Sequence, residues 1–368
     1  MSKHSKFFKK KFDESTKVKL LIFQKYVEDW LPVFLKSGYK DLYIFDFFAG
    51  PGYDLQHTPG SPILTLMEIE KHLKNIADAN ITLFLNENKK QYFKQLKENC
   101  NSYLKKYPAL KTIVHLKYSD LDFQEVFGKL ENKIGKKPSL VFLDQFGVKY
   151  GTYVKKFEQF EHTDFLLFIS SSSLKRFANT KEFKNALSLS DEEIRELKNA
   201  PYKLIHEFVV SFLRKRLNKN TMLKLYPFSI KKGRNIYGLI FGTKHVLAAD
   251  KFLRIAWKIN PKNGSANYDI YDDKGKQRLH LFSELDRKTT IQSFQEDFKK
   301  KVLEGTIKTN EDGYYYAIEK GHIPKHADEV LRKLKKDGII TYKGKSPLIN
   351  YNNVVKQRRI IEYEKNED

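Results

Sequence analysis

Apolar residues recur at helical spacing from Ser15 to about Leu35, through Val18, Leu21, Ile22, Phe23, Tyr26, Val27, Trp30 and Phe34. Ser15 or Thr16 is placed to cap the start of this helix. A short buried-strand run, Leu42–Phe45, then ends in Asp46-Phe47-Phe48-Ala49-Gly50-Pro51-Gly52. A polar loop leads to Gly60-Ser61-Pro62 and a helical stretch from Ile63 to about Lys74. Further strand-like runs follow at Ile81–Leu85, Thr112–Leu116, Leu140–Leu143 and Phe165–Ile169, with helical patterns between them. Strands alternating with helices predict a parallel, doubly wound α/β sheet.

After Ser170–Ser173 the pattern changes. A helical insertion rich in Lys and Glu spans about 180–217, and strands return at Leu223–Ile230 and Ile236–Thr243. A helix near Ala248–Trp257 follows, and the returning strands would complete the sheet with an antiparallel edge. Turn residues at Asn263-Gly264 and Asp273-Lys274-Gly275 separate this α/β domain, residues 1–285, from a second domain, 286–368. In the second, Ile291–Leu303 reads as a helix, and an apolar stretch, Tyr314–Ile318, leads to the loop Gly321-His322-Ile323-Pro324. His326–Lys336 is a basic helix with Ala327, Val330, Leu331 and Leu334 on one face. Gly338 ends it, and Ile339–Tyr342, Lys343-Gly344-Lys345 and Ile360-Ile361 suit a small β-wing. That order is the winged helix, a relative of the helix-turn-helix.

Composition narrows the function classes. With 368 residues, 40% hydrophobic and 14% aromatic, the chain is too long for one core and too apolar for global disorder. Its 68 Lys and Arg against 45 Asp and Glu leave a net charge of +23, which points to a polyanionic partner such as nucleic acid. A generally Lys-rich sequence is the plainer explanation of the same charge. The single cysteine, Cys100, excludes a disulfide framework and any Cys-based zinc or iron–sulfur site within the chain. No apolar run reaches the ~18 residues of a membrane span. The basic start (Lys3, Lys6, Lys9, Lys10, Lys11) lacks an apolar segment behind it, so a flexible arm in a cytoplasmic protein is expected.

The strongest chemical signal is Asp46-x-x-x-Gly50-x-Gly52 directly after a strand. Glycines there permit a tight turn and close backbone approach to a cofactor, or simply a needed turn with no ligand. No Gly-Lys-Ser/Thr follows, which disfavours a phosphate loop. The string is closer to the first motif of class I methyltransferases. In that likeness Asp46, Phe48, Gly50 and Gly52 belong to an S-adenosylmethionine site. Glu87, after the second strand, is the candidate for the ribose hydroxyls, since a carboxylate accepts two charge-assisted hydrogen bonds. Asn86 is the competing choice, and an exposed loop acid the plain one. Asp120, in Ser119-Asp120-Leu121-Asp122, is a candidate for the adenine amino group, with Phe123 free to stack or merely pack.

Leu140-Val141-Phe142-Leu143-Asp144-Gln145-Phe146-Gly147 is the second strong motif. An acid leaving the carboxyl end of a central strand lies where open α/β sheets hold ligands. Amino-group methyltransferases carry Asp/Asn-Pro-Pro-aromatic there; Asp144 and Phe146 fit this as the acceptor-side catalytic pair, while Gln145 replaces the first proline. Cofactor enclosure alone would also explain an acid at this strand end. Among the basic residues, Lys325, His326, Arg332, Lys333, Lys336, Lys343 and Lys345 are the candidates for nucleic-acid contact, with a merely solvated helix face as the alternative.

Several strings together resemble the bacterial three-Cys-motif partner family (TcmP), whose members have a methyltransferase-like fold. They are Lys17-x-Lys19…Tyr26…Trp30, Phe45–Gly52, Gly60-Ser61-Pro62, Phe142–Gly147, Tyr237–His245 and His322–Gly338. Gln145 departs from the family's Asp-Pro-aromatic-Gly string, and Ser170–Ser173 is more polar than its usual ending. The resemblance implies a Rossmann-like class I methyltransferase domain followed by a winged helix. It also implies a partner protein with a three-cysteine motif, of radical S-adenosylmethionine type. Three readings follow: base methylation of nucleic acid, DNA more than RNA; a non-catalytic recognition subunit of a mobile-element or defence complex; and a metal-dependent nuclease using Asp46, Asp120 and Asp144.

Overall fold

The computed structural model describes residues 11–75, 79–144, 151–178, 180–276 and 288–366. The chain divides into two compact units, Met1–His245 and Val246–Asp368. The first opens with α1 (Glu14–Lys36), β1 (Asp41–Asp46), α2 (Ser61–His72), β2 (Asn80–Asn86) and α3 (Lys90–Lys106). It continues through β3 (Val114–Ser119), α4 (Phe123–Leu130), β4 (Ser139–Leu143) and β5 (Thr163–Ile169). The insertion follows as α5 (Ser171–Phe177), α6 (Lys181–Leu187), α7 (Asp191–Asn199) and α8 (Ile205–Lys215), and the hairpin β6 (Lys224–Lys232) and β7 (Asn235–Thr243) closes the unit.

These strands form one seven-stranded sheet in the order β3-β2-β1-β4-β5-β7-β6. The first five are parallel, and β7 runs antiparallel between β5 and β6. This is the methyltransferase-like arrangement of a Rossmann-type sheet. Its centre is made by β4 and β5, whose residues are buried throughout, as expected where helices cover both faces of a parallel sheet.

Helix α1 starts one residue before the expected caps. The Asp13 carboxylate, not Ser15 or Thr16, accepts from Thr16 N at 2.9 Å and from the Ser15 hydroxyl at 2.5 Å. Its apolar face crosses the sheet: Phe23 packs on Phe142 (centroids 4.4 Å apart) and Tyr26 on Phe241 (4.7 Å). The Tyr26 hydroxyl donates to Asp164 at 2.7 Å, so a buried acid is satisfied by the same helix.

The insertion is fastened to the sheet by a histidine. His206 on α8 donates from Nε2 to the Leu239 carbonyl (3.1 Å) and accepts from the Ser171 hydroxyl at Nδ1 (2.8 Å). Gly238 is required beneath it, because a Cβ there would stand 1.8 Å from His206 Nδ1.

The second unit holds α9 (Val246–Ile259), α10 (Asp273–Lys276), α11 (Thr290–Leu303), α12 (Asn310–Glu319) and α13 (Pro324–Lys336). The short strands β8 (Ile340–Thr341) and β9 (Glu364–Lys365) pair antiparallel. The division at Val246 falls earlier than residue 285 because α9 packs within this unit, its Trp257 indole donating to the Gly321 carbonyl at 2.9 Å. The apolar stretch Tyr314–Ile318 lies on helix α12, so its burial follows the helical period. Tyr314 is inside, while Tyr315 is exposed. The wing pairs 340–341 with 364–365; Ile360 and Ile361 lie before its return strand. Among the described residues no helix is long and apolar enough to cross a membrane.

Gly238→Ala is expected to lower stability by about 1–3 kcal/mol, the usual range for overpacking, read from denaturant unfolding. Adding His206→Ala should recover part of that loss if the clash is the cause.

Candidate functional site

In the order β2-β1-β4-β5 the chain moves outwards from β1 on one side and from β4 on the other. Such a reversal leaves a crevice beyond the carboxyl ends of the two strands, where open α/β sheets take their ligands. Asp46 ends β1 and Asp144 follows β4. Both predicted acids therefore flank the crevice.

Asp46 is fully buried. It accepts from the Ser61 hydroxyl at 2.6 Å and from Phe48 N at 3.2 Å. Burial pushes its carboxyl up to about 7; these two donors oppose the shift, the Asp144 charge adds to it, and the Lys19 charge counters it. The Gly60-Ser61-Pro62 string thus has a physical purpose. Ser61 opens α2 and holds Asp46, while Gly60 N donates to the Gly52 carbonyl at 2.7 Å. A Cβ on Gly60 would come within 3.1 Å of that carbonyl oxygen.

Gly50 and Gly52 both have positive φ (63° and 91°), the region that favours glycine. Glu87 faces this turn: its carboxylate accepts from Gly50 N (3.1 Å) and from Lys89 N (2.9 Å). Burial raises its pKa, against the pull of those N–H groups and the Lys89 charge. Asn86, the competing candidate, donates to the Phe47 and Leu121 carbonyls (3.3 and 3.1 Å). Its own side-chain carbonyl oxygen is buried with no partner among the described residues.

The remaining candidates are placed differently. Asp120 is exposed and makes no hydrogen bond or ion pair among the described residues. Asp122 is used as the cap of α4, accepting from Gln124 N at 3.0 Å. Phe48 stacks on the buried Phe123, centroids 5.4 Å apart. Phe146 lies outside the described residues, as do Gln145 and Gly147.

Two site residues carried no chemical role in the sequence reading: Ser61 and Lys19. Lys19 on α1 is buried, forms an ion pair with Asp144, and holds its ammonium 4.8 Å from the Phe168 ring centre. A signal was present. Lys19 shares the i, i+4, i+7, i+11 row with Phe23, Tyr26 and Trp30, so a charge sits on a buried stripe. Among the described residues no group of three or more His, Cys, Asp or Glu is arranged to hold a metal ion.

In the second unit the basic candidates separate into two kinds. Arg332 is tied to Asp328 (2.5 and 3.4 Å) and to the Ser346 hydroxyl (3.0 Å), and Lys325 lies 3.8 Å from Glu329. Lys333, Lys336, Lys343 and Lys345 are exposed and unpaired among the described residues. Lys335 bolts helix to wing by donating to the Tyr342 and Gly344 carbonyls, both at 2.7 Å.

His326 does not belong with the surface cations. It and His322 are each only 6% exposed, and their Nδ1 atoms lie 3.0 Å apart. Phe294 stacks on His322 (4.0 Å) and Trp257 meets His326 edge-on (4.4 Å). The expectation failed because His326 sits at i−4 from Val330 on the apolar face of α13, so its ring turns inward.

The architecture is that of a methyltransferase-like α/β fold with a C-terminal winged helix-turn-helix domain. Residues 267–347 match the family described as "GMT-like wHTH domain". Among solved structures, the chain is similar to one of a candidate O-methyltransferase from Klebsiella pneumoniae. That alignment has a TM-score of 0.30 and 9% identity, and covers 63% of this chain and 90% of the other. No curated protein matches.

Burial pushes His322 down to about 3 and His326 to about 4, below the 6.5 of a free imidazole. The unfolded chain therefore binds more protons at pH values between 6.5 and these values. The stability contribution is present above 6.5 and is lost as pH falls through 4 towards 3. Thermal melts of the second unit's signal should drop steadily below pH 6.5. His326→Phe should flatten that drop.

Proposed function

We propose that this chain is an S-adenosylmethionine-binding methyltransferase-like protein directed at nucleic acid, in the manner of the three-Cys-motif partner family and beside a partner of that kind. The observation that carries the reading is Glu87 facing the Gly50–Gly52 turn at the edge of a crevice flanked by Asp46 and Asp144. The residues present suit such a cofactor. Glu87 has the chemistry to accept from ribose hydroxyls, and the unpartnered Asn86 oxygen suits an N–H donor such as an adenine amino group. Asp46 suits the cationic amino-acid end once ionised. The bound cofactor would supply an activated methyl group, and the chain's part is orientation of the acceptor by Asp144.

For the nucleic-acid arm, the unpaired lysines of α13 and the wing support phosphate contact more than base reading. Arg332 and Lys325 face carboxylates of their own helix, which weakens their pull on a polyanion. A base as methyl acceptor, with Phe146 stacked on it after flipping, remains part of the proposal.

S-adenosylmethionine and S-adenosylhomocysteine should bind with micromolar Kd by calorimetry, about −8 kcal/mol. Glu87→Ala should weaken binding by roughly 10- to 100-fold, the worth of a hydrogen bond to a charged group. Absence of binding to the wild type would move the reading to a non-catalytic recognition subunit.

Duplex affinity should fall linearly with log salt. Replacing Lys333, Lys336, Lys343 and Lys345 with Gln should reduce that slope by up to roughly 3 to 4. A slope unchanged by all four would sink the phosphate-contact proposal.

A further inference from the structure

The Lys19–Asp144 pair is hard to explain as a device for stability. A buried ion pair is weak evidence of stabilisation, since apolar residues of similar volume often serve the fold equally well or better. Its placement is more informative. Lys19 comes from a helix outside the βα repeat, 125 residues away in sequence, yet its ammonium meets the one acid that follows β4. The Lys19 side chain is 5% exposed and that of Asp144 24%. The cation is therefore enclosed, and the carboxylate stands at the opening.

Only one Asp144 oxygen, Oδ2, is taken by Lys19; Oδ1 has no partner among the described residues. Lys19, itself against the Phe168 ring, contacts Asp144, while the Ser61 hydroxyl and Phe48 N contact Asp46. Asp46 has both oxygens engaged, and Asp144 has one to offer. The Asp144 charge raises the Asp46 pKa and the Lys19 charge lowers it.

We infer that Lys19 is a positioning residue: its ammonium fixes the Asp144 carboxylate at the mouth of the crevice, leaving Oδ1 to accept from an N–H or O–H of the group bound there. The inference rests on the crevice being the ligand site. It adds that the acceptor-side group is a hydrogen-bond donor, held by an acid whose orientation is set from α1. It also accounts for a lysine on the buried stripe of that helix, where an apolar residue would otherwise be expected.

Asp46 is the reporter, because the charges of Asp144 and Lys19 act on it in opposite senses. Carboxyl NMR titration of the full-length chain should give an Asp46 midpoint near 7. Lys19→Met should move it up by about one pH unit, Lys19→Arg should restore it, and Asp144→Asn should move it down. The pH midpoint of S-adenosylhomocysteine binding should follow the same order, whereas a purely structural lysine would change affinity without moving the midpoint. An Asp46 midpoint unmoved by Lys19→Met and by Asp144→Asn would overturn the inference; if Lys19→Met does not fold, Asp144→Asn alone decides it. If the wild type binds no S-adenosyl compound, the proposed function fails, but the titration still decides the role of Lys19.

Discussion

The reversal of strand order between β1 and β4 is the constraint on which the rest of this molecule depends. Parallel strands need crossovers, and where the crossovers part there is no helix to fill the space beyond the strand ends. Main-chain and side-chain groups that would otherwise be covered converge there. In this chain they are Asp46, the Gly50–Gly52 turn, Glu87 and Asp144, contributed by loops far apart in sequence.

Burying acids at that point works against stability. Burial pushes the Asp46 carboxyl up to about 7, and no apolar core gains from its presence. The surroundings offset the penalty piecemeal. Ser61 and Phe48 N satisfy Asp46, Gly50 N and Lys89 N satisfy Glu87, and Lys19 pairs with Asp144. In the proposed reading these local compensations hold the crevice acids ready for a ligand.

The winged helix shows the opposite economy. Its core is completed by polar rings: His322 and His326 meet through their Nδ1 atoms, with Phe294 stacked on His322 and Trp257 edge-on to His326. Its surface keeps a helix and wing locked together through Lys335 and Arg332 while other lysines stay unpaired. Cations without internal partners have the freedom to meet phosphate; cations spent on the fold do not.

The sequence determined the elements and where the glycine turn and the strand-end acids fall along them. Fully apolar runs marked β4 and β5, the glycine turn after β1 marked the crevice, and Glu87 and Asp144 were legible as acids at strand ends. These signals are local, set by periodicity and by the backbone freedom of glycine. What required tertiary structure was every decision between alternatives of equal local merit. Asp122 and Asp120 read alike, but one caps a helix and the other is exposed. His326 looked like another surface cation, yet its ring turns into the core. Ser61 and Lys19 gained their partners only when α2 and α1 folded over the strand ends: a charge on a buried helical stripe marks Lys19 locally, but which acid it meets, 125 residues away, is decided by the fold, as is the Ser61 contact across 15 residues.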